Sequence, residues 1–168
     1  AFLERGLELA KPGGISALLT MRGWMFLGQF AELRKHLLRH AELRLLCDVD
    51  RGAFEDVPDE VLSTVIGILR KSNDSYLAIA LQPTKPEDHS RDAGRTARKR
   101  SAVLAQVGRY EFDPRSFAVI EGEPLVYWWS QDFLMRYAAA PKLGDVSPVK
   151  QGMATADNAR FLRSPWEV

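Results

Sequence analysis

A single cysteine among 168 residues, Cys47, excludes a disulfide framework and a cysteine-based zinc site. No apolar run reaches the roughly 18 residues that a membrane-spanning helix needs, and no basic-then-apolar signal pattern is present. Charge of one sign is lacking too: 23 Lys and Arg face 22 Asp and Glu, so no global basic footprint for nucleic acid exists. What is there suits a packed core, since 46% of residues are hydrophobic and 27% charged. The expectation is a cytoplasmic globular chain with no membrane segment, holding one domain or one domain and part of a second.

Charge is unevenly placed. Residues 1–75 hold 10 basic and 11 acidic side chains, whereas residues 91–100 hold five basic and one acidic. Pro83, Pro86 and the polar residues 87–90 between these regions read as a linker. The organisation expected is therefore 1–82, a basic linker 83–120, and a final segment 121–168. Phe2, Leu3, Gly6, Leu7 and Ala10 share one helical face, but no capping residue precedes them, and residues 164–168 lack a closing device. Both ends suggest a piece of a larger protein.

The periodicities give an α/β order. Lys11 to Gly14 stops the first helix, and Ile15–Thr20 follows as a short strand. Residues 26–40 have helical period, with Phe26, Phe30, Leu33 and Leu37 inward and Arg34, Lys35 and Arg39 outward. Leu43–Asp48 is a nearly continuous apolar run, as in a strand covered on both faces. Val61–Leu69 is a third strand, but the intervening loop is too short and too rich in Asp, Gly and Pro for a crossover helix. That strand should lie antiparallel between the first two. The loop leaves the carboxyl end of a strand, the ligand-binding edge of open α/β sheets, and carries Phe54. Further on, Tyr76–Leu81 suits a strand, residues 95–106 a basic helix, and residues 131–139 a helix capped by Ser130. A short strand is expected around Val146–Lys150.

These segments resemble a known family. AFLERGLELAKPGG, ISALLT, the MRGW turn and FLGQFAELRKHLL are similar to the second half of the gamma-type adenine-specific DNA methyltransferases. GAFEDVPDEVLSTVIGILRK resembles their base-contacting loop and final antiparallel strand. PLVYWWS and LGDVSPVKQGMATADNARFLR resemble the start of the target-recognition region in the large enzymes of restriction-modification and BREX phage defence. The resemblance covers most of the chain, least of all 83–108. It implies the distal half of a Rossmann-like sheet with a terminal antiparallel strand, then a mixed α+β segment. It also implies S-adenosyl-L-methionine as cofactor, double-stranded DNA as substrate, and the missing catalytic half of the same chain as partner. The family's glycine-rich cofactor loop and Asn-Pro-Pro-Tyr tetrapeptide are absent, so no catalytic residue is expected here and this chain alone should be inactive. The competing class is a non-catalytic DNA-binding or interaction module that keeps the half-fold.

The resemblance assigns individual residues. Phe54 matches the aromatic that stacks on a flipped adenine; the plain alternative is a loop ring folded on the sheet edge. Phe2 matches an aromatic lining the cofactor's adenine pocket, against an ordinary core face. Arg91, Arg95, Arg98, Lys99 and Arg100 suit phosphate contacts, although a solvated helix face is the commoner reason for such a run. Lys150, Gln151, Thr155 and Asn158 suit a DNA-facing loop, Gln and Asn being able to pair with adenine. Trp24 is expected beneath the loop, and Trp128 and Trp129 in the core. His36 and His40 lack a third ligand and read as a surface pair, so no metal is expected; Cys47 reads as a buried structural thiol.

Overall fold

A computed structural model describes residues 2–54, 62–74, 76–83, 94–148, 160, 162 and 166. Helix α1 (Phe2–Leu9) leads to strand β1 (Ile15–Met21), two short 3-10 turns (Arg22–Met25 and Gly28–Phe30) and α2 (Ala31–His40). Strands β2 (Glu42–Asp50), β3 (Thr64–Arg70) and β4 (Ala78–Leu81) follow, then α3 (Arg95–Leu104), β5 (Arg109–Phe112), a 3-10 turn (Pro114–Val119), α4 (Gln131–Ala139) and α5 (Leu143–Val146).

The sheet runs β1-β3-β2-β4-β5. β3 is antiparallel to both β1 and β2, so those two run the same way with β3 between them, as the loop length requires. β4 adds parallel to β2, and β5 closes antiparallel on β4. Strand alternation gives the sheet two different faces. Leu43, Leu46, Val65, Leu69, Ala78 and Ala80 are buried on one, beneath α1, α2 and the chain from Phe112 to Leu134. Cys47, Val49 and Leu81 are buried on the other, with Val103 of α3 packed against them. α1 approaches β1 closely enough that a Cβ on Gly6 would stand 2.4 Å from Ser16 Oγ, so a larger residue there would have to displace that hydroxyl.

Three expectations change. Of the expected linker 83–120, residues 94–120 hold α3, β5 and a 3-10 turn and lie in the folded unit Ala1–Ala138. β5 was legible in the alternation Arg109-Tyr110-Glu111-Phe112, whose Phe112 is buried, but charge concealed it. Arg34, expected outward, is buried at 1% exposure, because its guanidinium satisfies carbonyls that the preceding turns leave open. Leu143–Val146 is one helical turn, closed by Lys142 N–H donating to Asp145 Oδ2 at 2.8 Å, where a strand was expected to begin; residues 149–150 lie outside the described residues. α5 belongs to the second unit, Ala139–Val168. Ser130 caps α4 as expected, its Oγ accepting from Phe133 N–H at 3.2 Å.

Candidate functional site

The carboxyl ends of β1 and β2 open on the same edge, and charged groups gather there. Arg22, the first residue after β1, reaches Asp48 at 3.0 Å and Asp50 at 2.9 Å, both at the end of β2. The side chain of Asp48 has no exposed surface, and Tyr127 Oη donates to its Oδ2 at 2.8 Å. Burial raises the Asp48 pKa, with Arg22 and Tyr127 opposing. Burial acts the same way on Asp50, but hydrogen bonds from Ser63 and Arg22 outweigh it and hold that carboxyl below the ordinary aspartate range. Burial, then the Asp48 charge, pushes the Tyr127 phenol up, so it stays a donor at any physiological pH. Arg22 also lies 5.1 Å from the Phe26 ring centre, and Phe26 lies 5.7 Å from Trp128.

Beyond β2 the backbone turns sharply, with Asp50 at φ 57° and Gly52 at φ 74°. Phe54 follows on the described part of the loop, 42% exposed. It borders an apolar groove of about 260 Å³ whose walls include Leu19, Val49, Ile66, Val103 and Leu104, with Arg100 at the rim. The far part of the loop, residues 55–61, lies outside the described residues.

The basic helix divides its cations. Arg98 and Arg100 are exposed, whereas Lys99 is 6% exposed and donates through Nζ to the carbonyls of Val49 and Arg51. Lys99 was grouped with phosphate contacts; its ammonium faces the protein instead. Arg95 is half-buried, its side chain against Gly52. Phe2 is 83% exposed at the start of α1. Arg91, Lys150, Gln151, Thr155 and Asn158 lie outside the described residues.

The remaining candidates are structural. Trp24 is buried, its Nε1 donating to Thr20 Oγ1 at 3.1 Å. Trp129 packs against Phe133 and Tyr137 on α4. His36 and His40 are exposed on α2 with ring centres 4.5 Å apart. Cys47 is buried, and burial raises its thiol pKa. Sequence reasoning missed Arg22, Asp50, Arg34 and Tyr127 as partners. A signal existed in the two aspartates at the end of β2, Cys-Asp-Val-Asp, since buried carboxylates require donors.

No family model matches the chain. It is 28% identical over 175 aligned residues to the adenine-specific methyltransferase PglX of Lacticaseibacillus casei (strain Zhang), covering 99% of this chain and 14% of that protein. It is 23% identical over 144 residues to the adenine-specific methyltransferase BrxX of Escherichia coli O9:H4 (strain HS), covering 85% and 11%. The chain thus spans about one seventh or less of these relatives. Among solved structures, the EcoKI M protein of a type I restriction enzyme superposes with TM-score 0.55 at 13% identity over 82% of this chain and 40% of that one. A modification subunit of a putative type I restriction enzyme from Vibrio vulnificus YJ016 gives TM-score 0.51 at 16% identity over 69% and 27%. The structural matches carry the fold alone, and the sequence matches a likeness to one segment of longer proteins. The chain is similar in sequence to one segment of the adenine-specific methyltransferases PglX and BrxX, and its fold is shared with type I modification subunits.

Proposed function

We propose that this chain is the distal part of the catalytic domain of an adenine-N6 DNA methyltransferase serving restriction-modification or phage defence in the cytoplasm. In that reading the full-length parent transfers a methyl group from S-adenosyl-L-methionine to an adenine flipped out of duplex DNA. The observation that carries the reading is Phe54: a half-exposed ring on the loop at the carboxyl end of β2, above an apolar groove, in a segment homologous to such enzymes. An adenine taken from the stack loses its neighbours, and a protein ring replaces them. Arg100 is exposed at the rim of the groove and Arg98 is exposed on the same helix, where duplex phosphates would lie.

The parent also needs a donor-binding half. β1 pairs only with β3 among the described residues and so leaves one long edge open, while Ile15 and Met21 expose apolar side chains beside it. That edge is where the rest of the parent sheet continues. The 168-residue chain alone, incubated with labelled S-adenosyl-L-methionine and mixed-sequence DNA, should give background counts; clear incorporation refutes the reading.

The direct test is Phe54→Ala in the full-length parent. Loss of stacking should cost about 1–3 kcal/mol of transition-state stabilisation, roughly 5- to 150-fold in kcat/KM, and Phe54→Trp should retain most of the activity. A 2-aminopurine at the target position reports unstacking, and its fluorescence rise should fall in the alanine variant. Parental methylation by Phe54→Ala would reduce Phe54 to packing.

A further inference from the structure

We propose that Lys99 is a positioning residue for the Phe54 loop, fixing through the end of β2 where the base-stacking ring stands. The inference rests on the base-stacking reading of Phe54 and goes beyond it, because Lys99 touches neither base nor phosphate.

The loop begins where the β2 ladder gives out. The β2–β3 register shifts between Asp48 and Asp50, so carbonyls near this point lose regular strand partners. Buried carbonyls require a donor, and the Lys99 ammonium supplies one to Val49 and to Arg51, on either side of Asp50. Asp50 is in the left-handed region, a conformation that an aspartate holds only when its neighbours fix it. One residue beyond this grip, Gly52 lies under Arg95, where a Cβ would stand 2.6 Å from Nε. α3 therefore grips the backbone through hydrogen bonds at 49 and 51 and lies close against it at 52, just before Phe54. Thr96, Val103 and Leu104 of the same helix wall the groove beside that ring.

The helix faces two ways. Lys99 and Arg95 point at the loop, while Arg98 and Arg100 are exposed to solvent. A phosphate contact made by the outer pair would then steady the helix whose inner pair sets the loop, linking engagement of the DNA backbone to capture of the base. Lys99 acts on capture, and the outer cations act on affinity.

The test uses the full-length parent with a duplex carrying 2-aminopurine at the target adenine. Lys99→Met keeps the apolar stem and removes the donors. It should lower kcat about 10-fold and reduce the 2-aminopurine rise, with duplex affinity within about two-fold of parental and an unchanged salt slope. Lys99→Arg should restore most of the rate, since its guanidinium can donate to both carbonyls. If Lys99 acts through Phe54, the double variant Lys99→Met/Phe54→Ala should be no slower than Phe54→Ala alone. Multiplying losses in the double variant would overturn the proposal. So would weaker duplex binding with a salt slope reduced by about one, the mark of a lost phosphate contact. If Lys99→Met does not fold, Lys99→Gln carries the same comparison with a smaller loss, because its neutral amide reaches one bond less far than the ammonium and cannot serve both carbonyls. Parental turnover by Phe54→Ala would sink the base-stacking reading; loss in Phe54→Ala beside parental turnover in Lys99→Met would sink only the role of Lys99.

Discussion

The two faces of the sheet are built to different standards. On one face Leu43, Leu46, Val65 and Leu69 are each at most 2% exposed, and the polar groups among them are tied down. There the guanidinium of Arg34 donates to the carbonyls of Trp24 and Leu27, each at 2.8 Å, and to those of Gly122 and Glu123 at 2.9 and 3.1 Å. It joins the turn after β1 to the segment that brings Tyr127 to Asp48. On the other face only β2 and β4 are well covered. Ile15 is 66% exposed and Leu19 49%, and the groove beside Phe54 opens between Leu19 and α3. A face closed by directional hydrogen bonds stores stability. A face left open after folding is available to a ligand or another part of the chain, which is where the candidate residues lie.

If the closed face depends on Arg34, its removal should give the largest effect. Arg34→Met keeps the stem but strands four carbonyls in a buried site. At about 1–3 kcal/mol for each buried group left without a partner, and with some relaxation, the expected loss is about 3–5 kcal/mol. Arg34→Lys should recover less than half, because one ammonium cannot span the arc of acceptors that a guanidinium does. Urea unfolding of the 168-residue chain measures both, as a lower midpoint at unchanged slope. A loss under about 1 kcal/mol in Arg34→Met would mean that apolar packing, and not this hub, closes the face.

The same contrast explains what was legible in the sequence. Apolar periodicity marked α1, β1, β2 and β3, and the loop length between β2 and β3 gave their relative directions, because these depend on nearby residues. The position of Phe54 at the sheet edge followed from that order. Arg34 was misread because helical periodicity counts a cation as outward-facing, while its acceptors come from residues 22–27 and 122–123, which adjoin only after folding. Tyr127 and Asp48 are 79 positions apart, and Lys99 and Val49 are 50 apart, so no local pattern could pair them. Lys99 was hidden for a further reason: in a run of five cations, charge alone does not say which one turns inward.

The Asp48–Tyr127 contact offers an intermediate effect and a pH signature. Tyr127→Phe removes the donor to Asp48 Oδ2 and leaves a buried carboxylate held by Arg22, for an expected loss of about 1–3 kcal/mol near neutral pH. The sign of its pH dependence follows from burial. The folded Asp48 pKa is raised, so the folded state binds a proton more readily than the unfolded chain, and the Asp48 contribution to stability falls as pH rises through its folded value. Asp50, whose pKa is lowered, contributes in the opposite sense and loses stability as pH falls. Tyr127 favours the charged form of Asp48, so its removal raises the Asp48 pKa further. The penalty in Tyr127→Phe should therefore be largest where Asp48 is ionised and shrink toward acid. Urea midpoints for both proteins at about pH 5 and about pH 8 test this. A difference that persists unchanged into the acid range where Asp48 is protonated would show that the hydroxyl does not act through the Asp48 charge.

The smallest effect is expected on the open face, and it distinguishes a face that is merely exposed from one awaiting cover. Leu19 projects from β1 toward the groove and is half exposed, so Leu19→Lys buries no new charge in the 168-residue chain. The lysine stem can lie along Ile66 while the ammonium remains in water. Stability of the chain should change by no more than about 0.5 kcal/mol, as for a surface site. The full-length parent should respond differently. If its remaining sheet and helices continue from the β1 edge and cover this face, the same lysine meets an apolar partner without a counter-charge. Its thermal midpoint should then fall by several degrees, about 1–3 kcal/mol for a polar group buried without a partner. Equal tolerance in chain and parent would mean that the face stays open in the complete enzyme and that the parent sheet does not bury β1. A large loss in the 168-residue chain itself would contradict the two-face description, because Leu19 would then already be core.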